Sequence, residues 1–485
     1  MTLERLRVVL FFNGVFILAV SIAMLVPALI DFSFSNFSDA AIFLRTAFIT
    51  GGLALLLTVG FRPKLASLND RRTGLLITVS AWLSVSVVGA LPLYSSFLNL
   101  SWTDAFFEAT SALTTTGSTI LTGLDDMPKG ILLWRSILQW LGGIGIIVMA
   151  LSVLPALGVG GMQLFRSESS DISEKPFPKV RQLSRNILIV YLTLTLACAV
   201  ALGMAGMSTF DAINHAMTTI ATGGLSTRDA SIGFYNSLPI ELVTIVFMIA
   251  GALPLAFYAV VLMSRGQRRT IEGQIKPFLS ILAAAVFACM LWNVSQGMDA
   301  GEALRKSAFN VTSILTDTGF ATDDFSAWGS FAVGLFFMLF LVGGCAGSTA
   351  GAIKIFRWQV LFGSANRSLK LVLYPSVAMS VQLNRKSVSD VAISNVRGFF
   401  FLYLMTLLVM SLLVTATGLD YLSAISSVAQ AMANAGPGLG PVVGPATNFA
   451  SIPETAKWLI ALSMIMGRLE LVTFFIVLQP WFWQR

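Results

Sequence analysis

Thr114-Thr115-Thr116-Gly117-Ser118 interrupts an otherwise apolar stretch, and similar Thr- and Gly-rich segments return at Ala221 to Ser226, Thr316 to Thr322 and Asn434 to Gly440. Aligned on Gly117, Gly223, Gly319 and Gly436, the segments lie about 106, 96 and 117 residues apart, a loose internal period that survives loops of variable length. The residue before each glycine is Thr116, Thr222, Thr318 and Ala435. In a membrane, backbone that is neither helix nor barrel is tolerated only where protein buries it or where it lines a wet cavity. Four such segments are therefore expected to meet around one axis, with carbonyl oxygens aimed at a dehydrated cation. The competing reading is that glycines and small polar residues only let membrane helices pack closely.

The surrounding sequence is that of an integral membrane protein. It is 485 residues long, 56% hydrophobic and only 11% charged, with a mean hydropathy of +0.81. Its apolar runs are too long for alternating barrel strands, so the fold class expected is all-α. About ten crossings are predicted, over Val8 to Ile30, Ala41 to Phe61, Gly74 to Phe97, Ile131 to Leu154, Asn186 to Met207, Leu238 to Met263, Pro277 to Asn293, Phe325 to Gly344, Gly398 to Gly418 and Trp458 to Pro480.

The formal net charge of +7 points to topology rather than to nucleic acid, because the basic residues cluster in alternate loops. One loop carries Arg62, Lys64, Arg71 and Arg72, a second Lys175, Lys179, Arg181 and Arg185, and a third Arg265, Arg268, Arg269 and Lys276. The longest carries Lys354, Arg357, Arg367, Lys370, Arg385, Lys386 and Arg397. The intervening loops, such as Asp104 to Asp126 and Asp299 to Asp324, are acid-rich. About 23 of the 31 Lys and Arg fall on one side, which by the positive-inside rule puts both termini in the cytoplasm. The first apolar segment reads as a retained helix rather than a signal peptide. Cys198, Cys289 and Cys345 all sit in apolar spans and read as packing residues. With His215 the sole histidine, metal-ligand clusters and a Ser-His-Asp arrangement are close to excluded. His215 itself reads as a satisfied packing residue, and no bound organic cofactor is expected.

After two opening helices (1–68), the chain divides into four units of outer helix, re-entrant helix with pore loop, and inner helix: 69–165, 166–265, 266–380 and 381–485. The re-entrant helices are expected over Phe106 to Leu113, Ala212 to Ile220, Ala308 to Leu315 and Ile425 to Ala433, each about two turns and too short to cross. Their starts are signalled by Thr103 or Asp104, by Ser208 to Asp211, and by Asp299 or Glu302. The partly negative C-terminal end of such a helix, pointed at the axis, favours a cation there. The loops Gly158 to Arg185 and Phe362 to Arg397 are large enough to hold a partner protein.

The Thr-Gly pairs are a weaker version of the Thr-Val-Gly element of potassium-channel filters. With four such segments in register, the chain resembles the Trk/Ktr/HKT superfamily of potassium transporters, most closely its bacterial TrkH branch. The resemblance covers essentially the whole length. It implies an ion-lining backbone made of Thr115, Thr116 and Gly117; Ala221, Thr222 and Gly223; Asp317, Thr318 and Gly319; and Asn434, Ala435 and Gly436. In the family a serine in place of the first glycine goes with sodium preference, so Gly117 implies potassium, with rubidium and caesium as further candidate ions. The fourth segment departs from the pattern, with Ala435 for threonine and Pro437 after the glycine. Asp317 reads either as electrostatic support for the outer filter or as an acceptor within its own loop.

Two further elements concern gating. Gly343 to Lys354 reads GGCAGSTAGAIK, and Gly343, Gly344, Gly347 and Gly351 make continuous helix unfavourable. The stretch, with Ser348 and Thr349 inside it, resembles the intramembrane loop that obstructs the pore in this family. It differs at its end, where Gly351-Ala352 stands in place of two glycines, implying a stiffer loop. Packing against a close neighbour helix is the alternative. Arg468 falls inside the last apolar span, where a charge costs about 2.5 to 3.5 kcal/mol on insertion scales. Glu470 is two residues away and points to another face. By resemblance Arg468 projects into the conduction path below the filter; the alternative is an ion pair with an acid on another helix. The resemblance further implies a homodimer in the bacterial inner membrane, regulated by a cytosolic nucleotide-binding ring subunit of the TrkA type. The competing function is ion-coupled secondary transport, of potassium with protons or sodium or of a small solute, although its repeats are usually two or inverted. A membrane enzyme would need clustered histidine, cysteine or carboxylate groups, and none is seen.

Overall fold

The computed structural model describes residues 3–63, 71–152, 177–258, 272–376, 379–383 and 386–484. Lys64, Lys175, Arg265, Arg268, Arg269 and Arg385 of the basic clusters, and residues 158–176 of the expected partner loop, lie outside the described residues. The architecture is mostly helical, and six helices among the described residues are long and apolar enough to cross a membrane: Leu3–Ser33, Phe37–Gly60, Arg72–Ser95, Ser184–Met204, Gly273–Ser295 and Asp390–Thr415. Large apolar side chains point outward from them, with Phe48 and Met204 each 84% exposed, as a surface bathed in hydrocarbon allows. The chain is a multi-pass membrane protein.

The first two spans pack through small and polar residues. Gly14 lies against Leu57 and Ala54, and the Ser21 and Thr50 hydroxyls meet at 2.7 Å. Asn13 reaches the third span, donating to Ser80 Oγ at 2.8 Å and accepting from Ser84 Oγ at 2.7 Å. Such interhelical hydrogen bonds, with close backbone approach, replace the hydrophobic force that lipid removes. At the end of the first span, Asp31 accepts from the Gly130 amide at 2.7 Å and so caps the helix Lys129–Ser152 from outside.

One element order then recurs four times. A long helix leads to a short buried helix, a glycine segment and a further helix. The long helices are Arg71–Ser95, Phe177–Met204, Glu272–Ser295 and Asp390–Thr415. The short ones are Trp102–Leu113, Thr209–Ile220, Ala300–Leu315 and Tyr421–Ala433. Their C-terminal ends fall where the sequence places them, but they have 12, 12, 16 and 13 residues and so exceed two turns. The reason is capping. Ser101, Ser208, Asp299 and Asp420 accept from the first-turn amides of Asp104, Asp211, Gly301 and Ser423 at 2.9 to 3.1 Å; Ser208 and Asp299 fall among the expected start signals, while Ser101 and Asp420 stand ahead of the expected helices.

Three expected spans are cut short. The helix from Leu238 stops at Ala252 because Leu253 is held extended before Pro254. Phe325 to Gly344 is a 3₁₀ turn, Phe325–Trp328, followed after Gly329 by the helix Ser330–Leu339. The last span breaks into Glu454–Arg468 and Val472–Leu478 at 110°, with Glu470 and Leu471 both at positive φ. The expected loop Phe362 to Arg397 is also largely ordered. Helix Ile355–Leu373 runs into it, a two-residue hairpin pairs Gln382 with Ser387, and Asp390 opens the next long helix.

Candidate functional site

Past each short helix the backbone makes the same excursion. A residue at positive φ is followed two positions later by a glycine at positive φ: Thr115 (55°) and Gly117 (88°), Thr222 (51°) and Gly224 (70°), Asp317 (57°) and Gly319 (87°), Asn434 (59°) and Gly436 (96°). Between them, the amides of Thr116, Gly223, Thr318 and Ala435 donate to Ser111 O, Thr218 O, Ser313 O and Gln430 O at 2.8 to 3.0 Å, each five residues back. The second segment is therefore displaced by one residue from the sequence alignment. Gly224, not Gly223, stands with the other three glycines, and Ala221 is the αR C-cap of its helix. The adjacent glycines conceal this register, and only the distance from the helix end would have revealed it. Threonine precedes the glycine in just two units, at Thr116 and Thr318.

The four glycine turns close a ring. A Cβ on Gly117 would stand 2.1 Å from Gly223 O and 3.5 Å from Gly436 Cα. One on Gly224 would be 1.9 Å from Thr318 O, and one on Gly319 would be 2.7 Å from Ala435 O. Contact thus passes from the first segment to the second, third and fourth and back to the first. Main chain this close to main chain leaves no room for any side chain larger than hydrogen.

The bracing around the ring alternates. The first and third segments carry hydroxyl pairs, Thr114 with Thr116 at 2.7 Å and Thr316 with Thr318 at 2.8 Å. The second and fourth lack them and are held by amides. Gln139 Nε2 donates to Gly223 O at 2.6 Å while its Oε1 accepts from the Leu225 amide at 3.2 Å. Asn434 Nδ2 reaches Thr116 Oγ1 at 2.9 Å and Met464 O at 3.1 Å. Ser118 Oγ donates to Gly436 O at 2.8 Å.

Behind the first two segments lies an ion pair that sequence reasoning missed. Arg135 Nε meets Glu108 Oε1 at 2.6 Å with both side chains at most 1% exposed. Arg135 also donates to Ser226 O at 3.2 Å and to Thr119 Oγ1 at 3.1 Å. Glu108 accepts from Thr119 Oγ1 and the Ile120 amide. The 27-residue separation gave no helical pairing signal. The pairing becomes readable only once the short helix is known to fold back against Lys129–Ser152. His215 is a packed, bonded residue, as expected, with Nε2 at 2.9 Å from Ser226 Oγ and Nδ1 at 2.8 Å from Asp211 O. At the helix start, burial works against ionised Asp211, but hydrogen bonds from Thr227, Arg228 and Ser208 prevail and hold its carboxyl below the usual carboxylate value.

The Gly343 to Lys354 stretch is non-helical and wedged under the ring. Its amides reach across to neighbouring units: Cys345 to Ala252 O at 3.0 Å, Thr349 to Gly251 O at 3.3 Å and Ala352 to Ala433 O at 2.9 Å. Thr349 Oγ1 donates to Ile220 O at 2.9 Å, and Ser348 Oγ to Cys345 O at 2.7 Å. Gly347 turns at φ 80°, and its carbonyl accepts from the Leu255 amide at 3.0 Å. A Cβ on Gly351 would lie 1.9 Å from Ala433 O, and one on Gly344 would lie 2.9 Å from Ala252 O. Gly343 closes the loop base by donating to Ile353 O at 3.1 Å, and Lys354 Nζ turns back to Ala350 O.

Arg468 is 2% exposed and forms no ion pair with an acid among the described residues. Its guanidinium donates to Thr349 O at 3.1 Å and to Gly142 O at 3.2 Å. Glu470 pairs instead with Arg357 at 2.6 Å, as its position on another face requires.

Irregular main chain gathered into a ring by apolar helices puts this molecule in the class of multi-pass membrane transport proteins. It belongs to the TrkH family of cation transport proteins, whose pattern matches residues 46–292 and 279–482. Over 487 residues it is 41% identical to the Trk system potassium uptake protein TrkI of Halomonas elongata, covering 100% of this chain and 98% of that one. It is 37% identical to TrkH of Escherichia coli strain K12 over 478 residues, covering 97% and 98%. The crystal structure of the potassium transporter TrkH from Vibrio parahaemolyticus superposes with a TM-score of 0.91 at 35% identity, covering 99% of this chain and 100% of that one.

Proposed function

We propose that this protein carries potassium across the bacterial inner membrane through the ring of four glycine segments. The observation that carries the reading is closure of that ring: four positive-φ turns whose main chains meet one another directly, where a neighbouring turn leaves no room for a side chain. Carbonyl oxygens so gathered replace the hydration shell of a monovalent cation. Potassium uptake by curated relatives of nearly equal length supports the choice of ion. The lining main chain is that of Thr115, Thr116 and Gly117, of Thr222, Gly223 and Gly224, of Asp317, Thr318 and Gly319, and of Asn434, Ala435 and Gly436.

In this reading the four units span 69–165, 166–265, 266–380 and 381–485, each short helix being re-entrant, with the 1–68 pair packed outside them. The loop from Gly343 to Lys354 obstructs the path below the ring, and Arg468 holds it there while repelling cations. Both termini face the cytoplasm, where the basic loops receive a nucleotide-binding ring subunit. The transporter works as a homodimer.

Rubidium uptake into liposomes holding the purified protein tests this. Uptake down the rubidium gradient alone, displaced by external potassium and little affected by sodium, is expected. Uptake no faster than into empty vesicles rules the proposal out. Repeating the measurement with imposed proton or sodium gradients separates a pore from coupled transport.

A further inference from the structure

The four equivalent positions at the start of the glycine turns are Thr115, Thr222, Asp317 and Asn434, and only the third is charged. Asp317 is fully buried. The Gly344 and Gly351 amides come near its carboxylate, yet neither oxygen has an aligned hydrogen-bond donor. Lys354 and Arg468 face it, but their nitrogens are turned to the main-chain oxygens of Ala350, Thr349 and Gly142, and neither forms an ion pair with it among the described residues. A Cβ on Gly343 would stand 3.0 Å from Asp317 Oδ2, so the carboxylate points out of the ring toward the loop. Among the described residues it accepts no hydrogen bond from its own turn, unlike the acceptor role that the sequence allowed it.

A buried carboxylate that no donor meets in line and no cation pairs with directly is costly, and an ion missing from the site is one physical reason for such a group to persist. We propose that the Asp317 carboxylate is a side-chain site for a monovalent cation on the loop side of the ring. With the loop in place the site is covered and its charge is balanced at a distance by Lys354 and Arg468. With the loop withdrawn, the two oxygens take the ion as it leaves the main-chain ligands. This rests on the pore reading and adds to it a charged ligand that only the third unit supplies. A carboxylate also attracts a divalent ion of similar size more strongly than a monovalent one, so barium entering from the loop side is a direct probe.

The test uses rubidium flux in liposomes of full-length protein, with barium applied on the loop side, for wild type, Asp317→Asn, Asp317→Thr and Asp317→Glu. Asn and Thr are residues this fold already holds at the same backbone conformation in its other units, so two independent neutral variants are available if one fails to fold. Loss of one charge a few ångströms from the ion predicts that both neutral variants need about tenfold more barium for half-inhibition and a higher half-saturating rubidium concentration. Asp317→Glu is expected to keep barium sensitivity near that of wild type. Neutral variants with wild-type rubidium saturation and barium sensitivity overturn the site while leaving the pore reading standing. Wild-type vesicles that pass no rubidium overturn both.

Discussion

Arg468 donates to the main-chain oxygen of Thr349 across 3.1 Å, so the last helix before its 110° break is fastened to the loop under the ring. Hydrogen bonds to charged groups are worth about 1.5 to 3 kcal/mol. Replacing Arg468 by Ala removes both this tie and the positive charge, and basal rubidium flux is expected to rise about tenfold, the equivalent of about 1.4 kcal/mol. Flux in Arg468→Ala vesicles equal to that of wild type eliminates the gating role.

Ala352 occupies a glycine-type conformation, φ 45°, while its amide is bonded to Ala433 O at 2.9 Å. A left-handed conformation costs an alanine about 1 to 2 kcal/mol. Ala352→Gly therefore relieves the loop in the arrangement seen here, which on the proposed function is the closed one. The expected result is an unchanged or raised thermal midpoint in detergent and a basal flux about threefold lower, whereas an ordinary Ala→Gly change costs about 1 kcal/mol. A clear fall in midpoint argues against the strained turn.

The register of the second segment separates two neighbouring glycines. A methyl on Gly224 meets Thr318 O, which is main chain, while one on Gly223 meets the side chain of Gln139. Gly224→Ala is expected to abolish uptake with or without Gln139→Ala. Gly223→Ala is expected to lose activity and to recover part of it when Gln139→Ala makes room. Equal behaviour of the two glycines would return the alignment to Gly223.

Glu108→Gln leaves the Arg135 guanidinium buried without its carboxylate. Breaking one side of a buried pair costs about 3 to 5 kcal/mol, more than removing both. The half-life of the detergent-solubilised protein at a fixed elevated temperature is expected to shorten sharply in Glu108→Gln and Arg135→Met. A double variant, Glu108→Leu with Arg135→Met, should recover part of the loss. Single variants as long-lived as wild type would mean that the pair is not buried in the membrane-embedded protein.

Membrane class and the four returning segments were legible because hydropathy and internal period are local properties of the chain. Helix ends were legible where chemistry marked them: Leu113, Ile220, Leu315 and Ala433 each precede the first residues of a glycine turn. Starts were less so, since Ser101 and Asp420 cap their helices ahead of the apolar pattern. Apolar runs also overstated continuity. Hydropathy does not register that Pro254 stops a helix or that the chain from Arg468 to Val472 reverses within a hydrophobic stretch. The partners of Gln139 and Arg135 depend on contacts between separate helices and turns, and no spacing along the chain encodes them. Arg468 was found by its cost in lipid, but its acceptors turned out to be carbonyls, which carry no signature in sequence.

The Thr114–Thr116 and Thr316–Thr318 hydroxyl pairs occupy diagonal positions, with Gln139 and Asn434 serving the walls between. Chemically identical substitutions at equivalent places should therefore have unequal consequences. Two opposite quadrants are locked from within their own turns, whereas the other two borrow rigidity from a neighbouring quarter of the molecule. Any displacement of the Gln139 helix or of Asn434 slackens one diagonal while the other stays taut, turning a nominally square ring into an oblong one.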